Sequence, residues 1–192
     1  KYLVIGDDFH FARKRSGNYK QLEKVKRLLK FEIKKIPSVI VNEKRTSSTL
    51  IRELLDQGRL IEARHFLGKP YQMSGRVVIG QQLGRELGYP TANINIQRLQ
   101  SALMGIFAVK VHGISLNPLD AVASLGVRPT FYNGKKPILE VHIFNFNEDI
   151  YGRYIDIDFI SKIRNEVKFN SADELIEQMH KDSSDAQKAL SI

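Results

Sequence analysis

The sequence predicts an α/β module followed by a small antiparallel β-barrel with a C-terminal helix, and three observations support this fold class. Strand-like and helical apolar patterns alternate over the first 69 residues, as is typical of α/β structure. Short strand-like runs separated by turn signals follow from Tyr71 onward. The charge balance changes at the same point: residues 1–69 hold 17 Lys and Arg against 8 Asp and Glu, whereas the remainder holds 13 of each. We therefore predict two domains, 1–69 and 70–192.

The first domain begins with an apolar strand at Tyr2–Ile5. Apolar residues recur at helical spacing between Tyr19 and Ile36, and basic side chains occupy the other faces, so we predict one amphipathic helix there. Its charged face is interpreted as solvated rather than as a nucleic-acid contact, because no aromatic residues that would stack on bases are interleaved with it. The other predicted elements are a short strand and two helices: Val39–Val41, Thr46 or Ser47 to Gln57, and Leu60–Leu67.

The second domain is predicted to contain six strands, at residues 73–79, 92–96, 106–111, 121–125, 138–144 and 154–160. The last of them alternates strictly between apolar and polar residues, as a strand with one wet face should. Six short antiparallel strands favour a closed barrel over an open sheet. Ser171 and Glu174 form a capping box that predicts the start of a final helix. Its apolar side is expected to pack against the barrel.

The most informative segment of the chain is the glycine-rich run over residues 80–93. Gly80, Gly84 and Gly88 are four positions apart and would let the backbone approach a ligand closely. Arg85 adds a planar, permanently charged group for phosphate oxygens. The run lacks the Gly-Lys-Ser/Thr ending of a Walker loop. We interpret it as a phosphate-binding loop of another kind, with these four residues as candidate phosphate ligands.

Two neutral side chains follow the glycines at a spacing that suits a metal ion. Thr91 and Asn93 are separated by one residue, so an extended strand puts them on the same face. A hydroxyl and an amide oxygen suit a magnesium ion that already carries nucleotide phosphates. The sequence therefore predicts that both residues bind Mg²⁺, or another divalent cation, together with those phosphates.

A phosphate-transfer site also needs a group that orients or deprotonates the acceptor hydroxyl. In the strand-like run at 138–144, Glu140 and His142 share the face opposite to Leu139 and Val141. Two interpretations of Glu140 stay open from this segment alone. It is either an exposed acid on the wet face of a strand, which the segment favours, or a general base that lines a ligand cavity. His142 is interpreted as structural or solvent-exposed.

Several classes of protein are disfavoured by what the sequence lacks. No Cys or His cluster has metal-ligand spacing, so a zinc site is not expected. No segment resembles a nucleophile elbow. No apolar run approaches the roughly 20 residues that a membrane-spanning helix needs, and no signal-peptide pattern opens the sequence. The lack of cysteine fits a reducing compartment, so we expect a cytoplasmic protein.

Several motifs in the same order make the second domain similar to riboflavin kinases. The glycine-rich run ends in Gly-Tyr-Pro-Thr-Ala-Asn, which resembles the flap and the Pro-Thr-Ala-Asn signature of that family. The similarity continues through residues 105–108, 125–131, 139–142, 149–152, 164–166 and 168–171. It covers nearly all of residues 70–192 and implies a six-stranded antiparallel barrel.

The resemblance also implies roles for the site residues. The Thr and Asn of the family signature bind magnesium with the ATP phosphates, so Thr91 and Asn93 are the implied metal ligands. The Glu of the Leu-Glu-Val-His segment acts as the base on the riboflavin 5′-hydroxyl. By this resemblance Glu140 is the catalytic base, and the exposed-acid interpretation is set aside.

Other positions follow less directly. Arg128, Thr130 and Arg164 lie in matching motifs and are candidate flavin or phosphate contacts. Arg128 and Thr130 are alternatively part of an ordinary surface turn, and Arg164 has the spacing of a local ion pair with Glu166. Ser124 stands where the family commonly has asparagine, so a ligand contact is not carried over to that position.

The first domain resembles the second half of the FMN adenylyltransferase domain of bacterial bifunctional FAD synthetases. The similarity rests on residues 5–9, 15–17 and 47–52. The corresponding adenylyltransferase residues are Ser47, Ser48, Thr49 and Arg52. Leu50 stands where an arginine is usual, and the family's His-x-Gly-His motif is expected before Lys1. The chain as given is therefore expected not to make FAD by itself.

The expected activity is the ATP-dependent phosphorylation of riboflavin to FMN, with Mg²⁺ as cofactor. Adenylylation of FMN to FAD is expected in addition in the full-length protein. A flavin-binding regulator without catalysis is one alternative. A nucleic-acid-binding protein that uses the basic first third is a less favoured one. No membrane partner is expected, and the sequence leaves the oligomeric state open.

Overall fold

The computed structural model describes residues 1–80, 84, 87–97, 100–129 and 135–191. These residues form two compact units, Lys1–Ser47 and Ser48–Ile192.

The first unit contains three pairs of strands and one α-helix. Strands β1 and β4 are parallel, with Tyr2 opposite Glu32 and Gly6 opposite Ile36. The other two pairs, β2 with β3 and β5 with β6, are antiparallel. The elements are β1 (Tyr2–Gly6), β2 (His10–Phe11), β3 (Gly17–Asn18), α1 (Tyr19–Val25), β4 (Glu32–Ile36), β5 (Ile40–Val41) and β6 (Lys44–Arg45).

The long helix predicted from Tyr19 to Ile36 is wrong in its second half. Helix α1 is held at its start by a capping box between Asn18 and Gln21 and ends at Val25. Lys30 then has a positive φ of 51°, which a continuing helix excludes. Residues 32–36 pair with β1 instead, so backbone hydrogen bonds to a distant strand replace those that the local helical pattern predicts.

The second unit is built on a closed barrel of six antiparallel strands, which confirms the predicted architecture. Its strands are β7 (Tyr71–Val78), β8 (Ala92–Asn95), β9 (Gly105–His112), β10 (Leu119–Pro129), β11 (Lys135–Ile143) and β12 (Tyr154–Arg164). Around the barrel they follow the order β10-β11-β8-β7-β12-β9. Successive side chains of a strand point to opposite faces, and the inward-facing apolar set fills the interior, including Met73, Phe107, Leu139, Ile157 and Phe159.

Two helices precede the barrel at the positions that the sequence predicts. They are α2 (Ser48–Asp56) and α3 (Leu60–Leu67), which ends at Gly68 with a φ of 74°. Leu54, Leu55 and Leu60 are buried in the same apolar cluster as the barrel interior. The second compact unit therefore begins before these helices, earlier than the predicted domain boundary after Lys69, because their apolar faces pack on the barrel.

Helix α4 (Ala172–Leu190) lies on the outer face of the barrel, against β9, β10 and β12. Ser171 is its N-cap and accepts a hydrogen bond from the backbone N–H of Glu174, at 3.2 Å, as predicted. The other half of the predicted capping box differs, because the Glu174 carboxylate accepts from the backbone N–H of Asn170 rather than from that of the N-cap residue Ser171. Ala186 and Leu190 are buried with Ala108 of β9. The predicted packing of this helix on the barrel is confirmed.

Candidate active site

One row of residues crosses four strands of the barrel on its outer face. Asn93 of β8 is the direct cross-strand partner of Glu140 of β11. Glu140 is in turn the partner of Ser124 of β10, and Ser124 is the partner of Ile106 of β9. Directly opposite residues have Cβ atoms about 4.5–5.5 Å apart. We call these four residues the cross-strand row.

A cavity of about 370 Å³ lies between the cross-strand row and helix α4. All four residues of the row line it, and the helix contributes Leu175, Met179, Asp182 and Ser183. Glu140 is half-buried. The outer face that holds Glu140 is therefore not fully exposed to solvent, because α4 covers it. We call this space the helix-side cavity.

Thr91 and Asn93 both line the helix-side cavity, so the predicted common face is confirmed. Two glycines of the run fit closely against them. A Cβ at Gly80 would overlap the Asn93 amide group. A Cβ at Gly84 would overlap the carbonyl oxygen of Tyr89 and lie 3.3 Å from the Thr91 hydroxyl oxygen. The lack of a side chain at these two positions therefore leaves room for the predicted metal ligands, and the overlap at Gly84 is the more severe because it involves backbone.

A second cavity of about 470 Å³ also contains Thr91 in its wall. Its other walls are the inward-facing barrel residues Val77, Val141 and Ile143 and the loop at residues 146–151. We call it the loop-side cavity. Thr91 is thus shared by two cavities, of which only the helix-side one is lined by Glu140.

Three rings lie around the end of the glycine-rich run. The Tyr89 ring is 5.1 Å from the ring of His142 and 5.2 Å from that of His180, edge to face in both cases. The Tyr89 hydroxyl is hydrogen-bonded to Nδ1 of His180, on α4. His142 Nδ1 donates to the carbonyl oxygen of Pro90 at 2.9 Å. These contacts connect the run, β11 and α4.

Arg164 makes its ion pair with a helix residue. Its Nε and Nη2 donate to the two carboxylate oxygens of Asp182 at 2.7 and 2.6 Å. Gln178 also donates to Asp182, at 2.8 Å. The Asp182 side chain is only 7% exposed. Burial of this carboxylate is costly unless it is paired, and its ion pair and hydrogen bonds compensate for the lost hydration. The expectation of a local pair between Arg164 and Glu166 is replaced by this longer-range bond between β12 and α4.

Glu166 lies in the wall of the helix-side cavity with its carboxylate against Gly126. The residue as a whole is exposed, but burial of its carboxylate raises the pKa, and the nearby Arg164 guanidinium acts in the opposite direction. The carboxylate therefore lies beside β10, in the wall of the cavity that a ligand would occupy.

The remaining predicted residues are placed as follows. Gly88 has a φ of 81° and open space around the Cβ position. Arg85 and Thr130 lie outside the described residues, as does the Arg128 side chain. The predicted adenylyltransferase residues Ser47, Ser48, Thr49 and Arg52 lie at the end of the first unit and in the exposed part of α2.

Sequence reasoning missed Tyr89, His180, Asp182 and Ser183. For Asp182 a signal was present, because the helical apolar stripe of Leu175, Met179 and Ala186 contains this one acid at matching spacing. A charge within an apolar stripe indicates a buried partner. Nothing local marks His180, since its partner Tyr89 is 91 positions away.

No group of three or more His, Cys, Asp or Glu residues in the described part of the chain could hold a metal ion. No helix there is long and apolar enough to cross a membrane.

Two family models match parts of the chain. The riboflavin kinase family model matches residues 67–190, and the FAD synthetase model matches residues 1–50. A bifunctional riboflavin kinase/FMN adenylyltransferase of Haemophilus influenzae is 44% identical over 95% of this chain and 59% of the relative. The protein of the same description from Escherichia coli K12 is 41% identical over 95% of this chain and 58% of the relative.

Among solved structures, a crystal structure described as a macrolide-efflux protein from Streptococcus pneumoniae is similar. It has a TM-score of 0.70 and 34% identity over 93% of this chain and 58% of that one. The chain thus spans about six tenths of the length of the relatives it matches. The riboflavin kinase model covers residues 67–190, which include the whole barrel and α4. The chain therefore belongs to the riboflavin kinase family.

Proposed function

We propose that this chain transfers the γ-phosphoryl group of ATP to the 5′-hydroxyl of riboflavin, giving FMN and ADP. The observation that carries the proposal is the cross-strand pairing of Asn93 with Glu140 in a cavity that Thr91 also lines. Two neutral oxygen ligands and a carboxylate then line one cavity, with Asn93 and Glu140 fixed on neighbouring strands, as phosphoryl transfer to a hydroxyl requires.

The two cavities suggest where the substrates bind. The helix-side cavity holds Glu140 and has apolar walls from Ile106, Val122 and Met179, which suits the flat ring system of riboflavin. The loop-side cavity also has an apolar wall, at Val77, Val141 and Phe146. We assign it to the nucleotide base and sugar. The phosphates would then lie at Thr91, the residue common to both cavities.

The donor set at this boundary fits Mg²⁺. The Thr91 hydroxyl and the Asn93 amide provide hard oxygen ligands, and magnesium is usually bound by few protein groups together with substrate phosphates and water. Gly80 and Gly84 leave room for both residues, since a Cβ at Gly80 would overlap the Asn93 amide and a Cβ at Gly84 would crowd the Thr91 hydroxyl. When bound, the ion would neutralise charge on the transferring group.

The protein's own groups perform the remaining chemistry. Glu140 accepts the proton of the ribityl hydroxyl while its oxygen bonds to the γ-phosphorus. The bond between the γ-phosphorus and the bridging oxygen breaks, and ADP leaves with that electron pair. Helix α4 excludes water from the acceptor side, which limits transfer of the phosphoryl group to water. The role of Arg85 in stabilising the charge stays a prediction.

The test is chromatography of flavins after incubation of the protein with riboflavin, ATP and magnesium. We expect FMN from the native chain and a loss of about 10²–10⁴-fold in turnover for Glu140→Gln. Glu177→Gln, on the exposed face of α4, is the matched control and should retain full turnover. Absence of FMN would contradict the kinase proposal, and FMN binding without ATP consumption would favour a flavin-binding regulator.

The first 50 residues support a second activity for a longer protein. They match the FAD synthetase model, and the relatives are described as bifunctional. We propose that FMN made at the barrel is adenylylated by a domain to which this unit contributes. Leu50 packs against the apolar core of the second unit, so we assign it no nucleotide contact. FAD formed by a longer protein that contains this chain would report this second activity, whereas the chain as given is expected to form none. The predicted cytoplasmic location and the predicted lack of nucleic-acid binding stay predictions.

A further inference from the structure

The segment Tyr89-Pro90-Thr91 lies in the second half of the glycine-rich run, directly before β8, and carries the proposed metal ligand Thr91. Its position does not depend on strand hydrogen bonds, because the ladder between β8 and β11 ends at Ala92 and Val141. Three other contacts hold it. Tyr89 donates its backbone N–H to Gly84 at 2.7 Å, His142 donates to the Pro90 carbonyl, and the Tyr89 hydroxyl bonds to His180.

The Tyr89 contact is the one that reaches the helix. Tyr89 is half-buried, and its ring is packed between the rings of His142 and His180. His180 follows Met179, which lines the helix-side cavity, and Tyr89 lines the same cavity. The bond therefore joins the segment that carries Thr91 directly to the helix that covers the proposed flavin.

We propose that Tyr89 and His180 are positioning residues that hold Thr91 in the orientation needed to bind the metal ion. Neither residue is assigned a contact with reacting atoms. The hydrogen bond and the two ring contacts restrict the rotation of the Tyr89-Pro90-Thr91 segment, and a pre-oriented ligand binds a metal more tightly than a mobile one. The inference rests on the proposed role of Thr91 as a metal ligand.

The metal dependence of nucleotide binding separates this role from general stabilisation. If Tyr89 and His180 act through Thr91, loss of the hydrogen bond between them weakens the binding of Mg·ADP. The binding of ADP in the presence of EDTA is then unchanged. A variant that only loosens the fold would weaken both. The Michaelis constant for Mg·ATP should likewise rise, whereas that for riboflavin stays within about twofold, because one hydrogen bond of the metal segment is lost and the Tyr89 ring is kept.

The experiment is calorimetric titration of the chain with ADP, with Mg²⁺ and with EDTA. Tyr89→Phe keeps the ring and removes the hydroxyl, and His180→Leu removes the other partner. Each should raise the Kd for Mg·ADP about threefold to tenfold, the effect expected of one hydrogen bond. The double variant should be no weaker than the weaker single variant, since both remove the same bond.

Two further variants serve as controls. His180→Asn keeps a hydrogen-bonding group at the position of Nδ1 and should restore Mg·ADP binding to within about twofold of the native value. His112→Gln perturbs a histidine that bonds to Asp158 at 3.0 Å on another part of the barrel surface. It should leave Mg·ADP binding unchanged. Thermal unfolding of each variant confirms that it is folded.

Equal weakening of ADP binding with and without Mg²⁺, or unchanged Mg·ADP binding in Tyr89→Phe and His180→Leu, would overturn the positioning role. The failure of the kinase proposal looks different. In that case the native chain would bind Mg·ADP more tightly than ADP but form no FMN, and the effect of the variants on binding would still support the positioning role. A native chain that binds ADP equally with Mg²⁺ and with EDTA would contradict the positioning role.

Discussion

The hydroxyl oxygen of Ser183 is buried and has no hydrogen-bond partner among the described residues. A buried polar group without a partner costs about 1–3 kcal/mol. We therefore expect Ser183→Ala to raise the free energy of unfolding, even though it removes a polar group from the wall of the proposed flavin cavity. Chemical denaturation of the native chain and the variant measures the change.

The next residue of the same helix supplies the control. Ser184 is exposed, and Ser184→Ala brings the same gain in helix propensity, about 0.5 kcal/mol, without removing a buried hydroxyl. Ser183→Ala should exceed Ser184→Ala by about 1 kcal/mol. Equal effects of the two substitutions would mean that the buried hydroxyl carries no cost.

Glu166 should make stability depend on pH in a defined direction. Burial raises its folded-state pKa above the usual 4.5, so the folded protein holds this proton more tightly than the unfolded chain. The stabilising contribution is complete below the unfolded-state pKa and is lost as the pH rises through the folded-state pKa. Glu166→Gln cannot ionise and avoids this loss.

Denaturation of both proteins between pH 4 and pH 7.5 tests the expectation. The stability of Glu166→Gln relative to the native chain should rise across the acidic part of this range and then level off. A difference that is constant with pH, or that falls, would show that the carboxylate is not desolvated in the folded protein.

The strands were predictable because their signal is local. Alternation and turn residues identified all six barrel strands, and β10, β11 and β12 each extend beyond the predicted run. The helix predicted at 19–36 failed because its second half contains Ile33 and Ile36, which fit a strand equally well. Parallel pairing with β1 decides between the two structures, and pairing with a distant strand is not encoded in the segment itself.

The candidate site was predictable only in part, for the same reason. Spacing alone put Thr91 and Asn93 on one face, but the cross-strand pairing of Asn93 with Glu140 depends on which strands meet. Glu140 suggested a wet strand face when considered alone, because the segment does not show that α4 covers it. The sequence does not show that α4 covers the cavity. It also does not show that the Arg164–Asp182 ion pair attaches α4 to β12, because both features depend on how the helix packs on the barrel.

On the scale of the whole molecule, the compact units and the charge pattern divide the chain at different places. Charge and composition predict a boundary after Lys69, whereas the second compact unit begins at Ser48. The difference consists of α2 and α3. Leu54, Leu55 and Leu60 are at most 4% exposed and belong to the barrel's own apolar cluster, and α3 lies against β7 and β12.

We therefore expect a fragment of residues 48–192 to be more stable than a fragment of residues 70–192. Removal of α2 and α3 exposes the barrel surface beneath them, and each fully buried leucine contributes about 1.5–3 kcal/mol. Urea denaturation should give a higher midpoint concentration for the longer fragment. Its free energy of unfolding should be larger by a few kcal/mol. Equal midpoints would instead favour the boundary after Lys69, and would mean that the two helices cover the barrel without stabilising it.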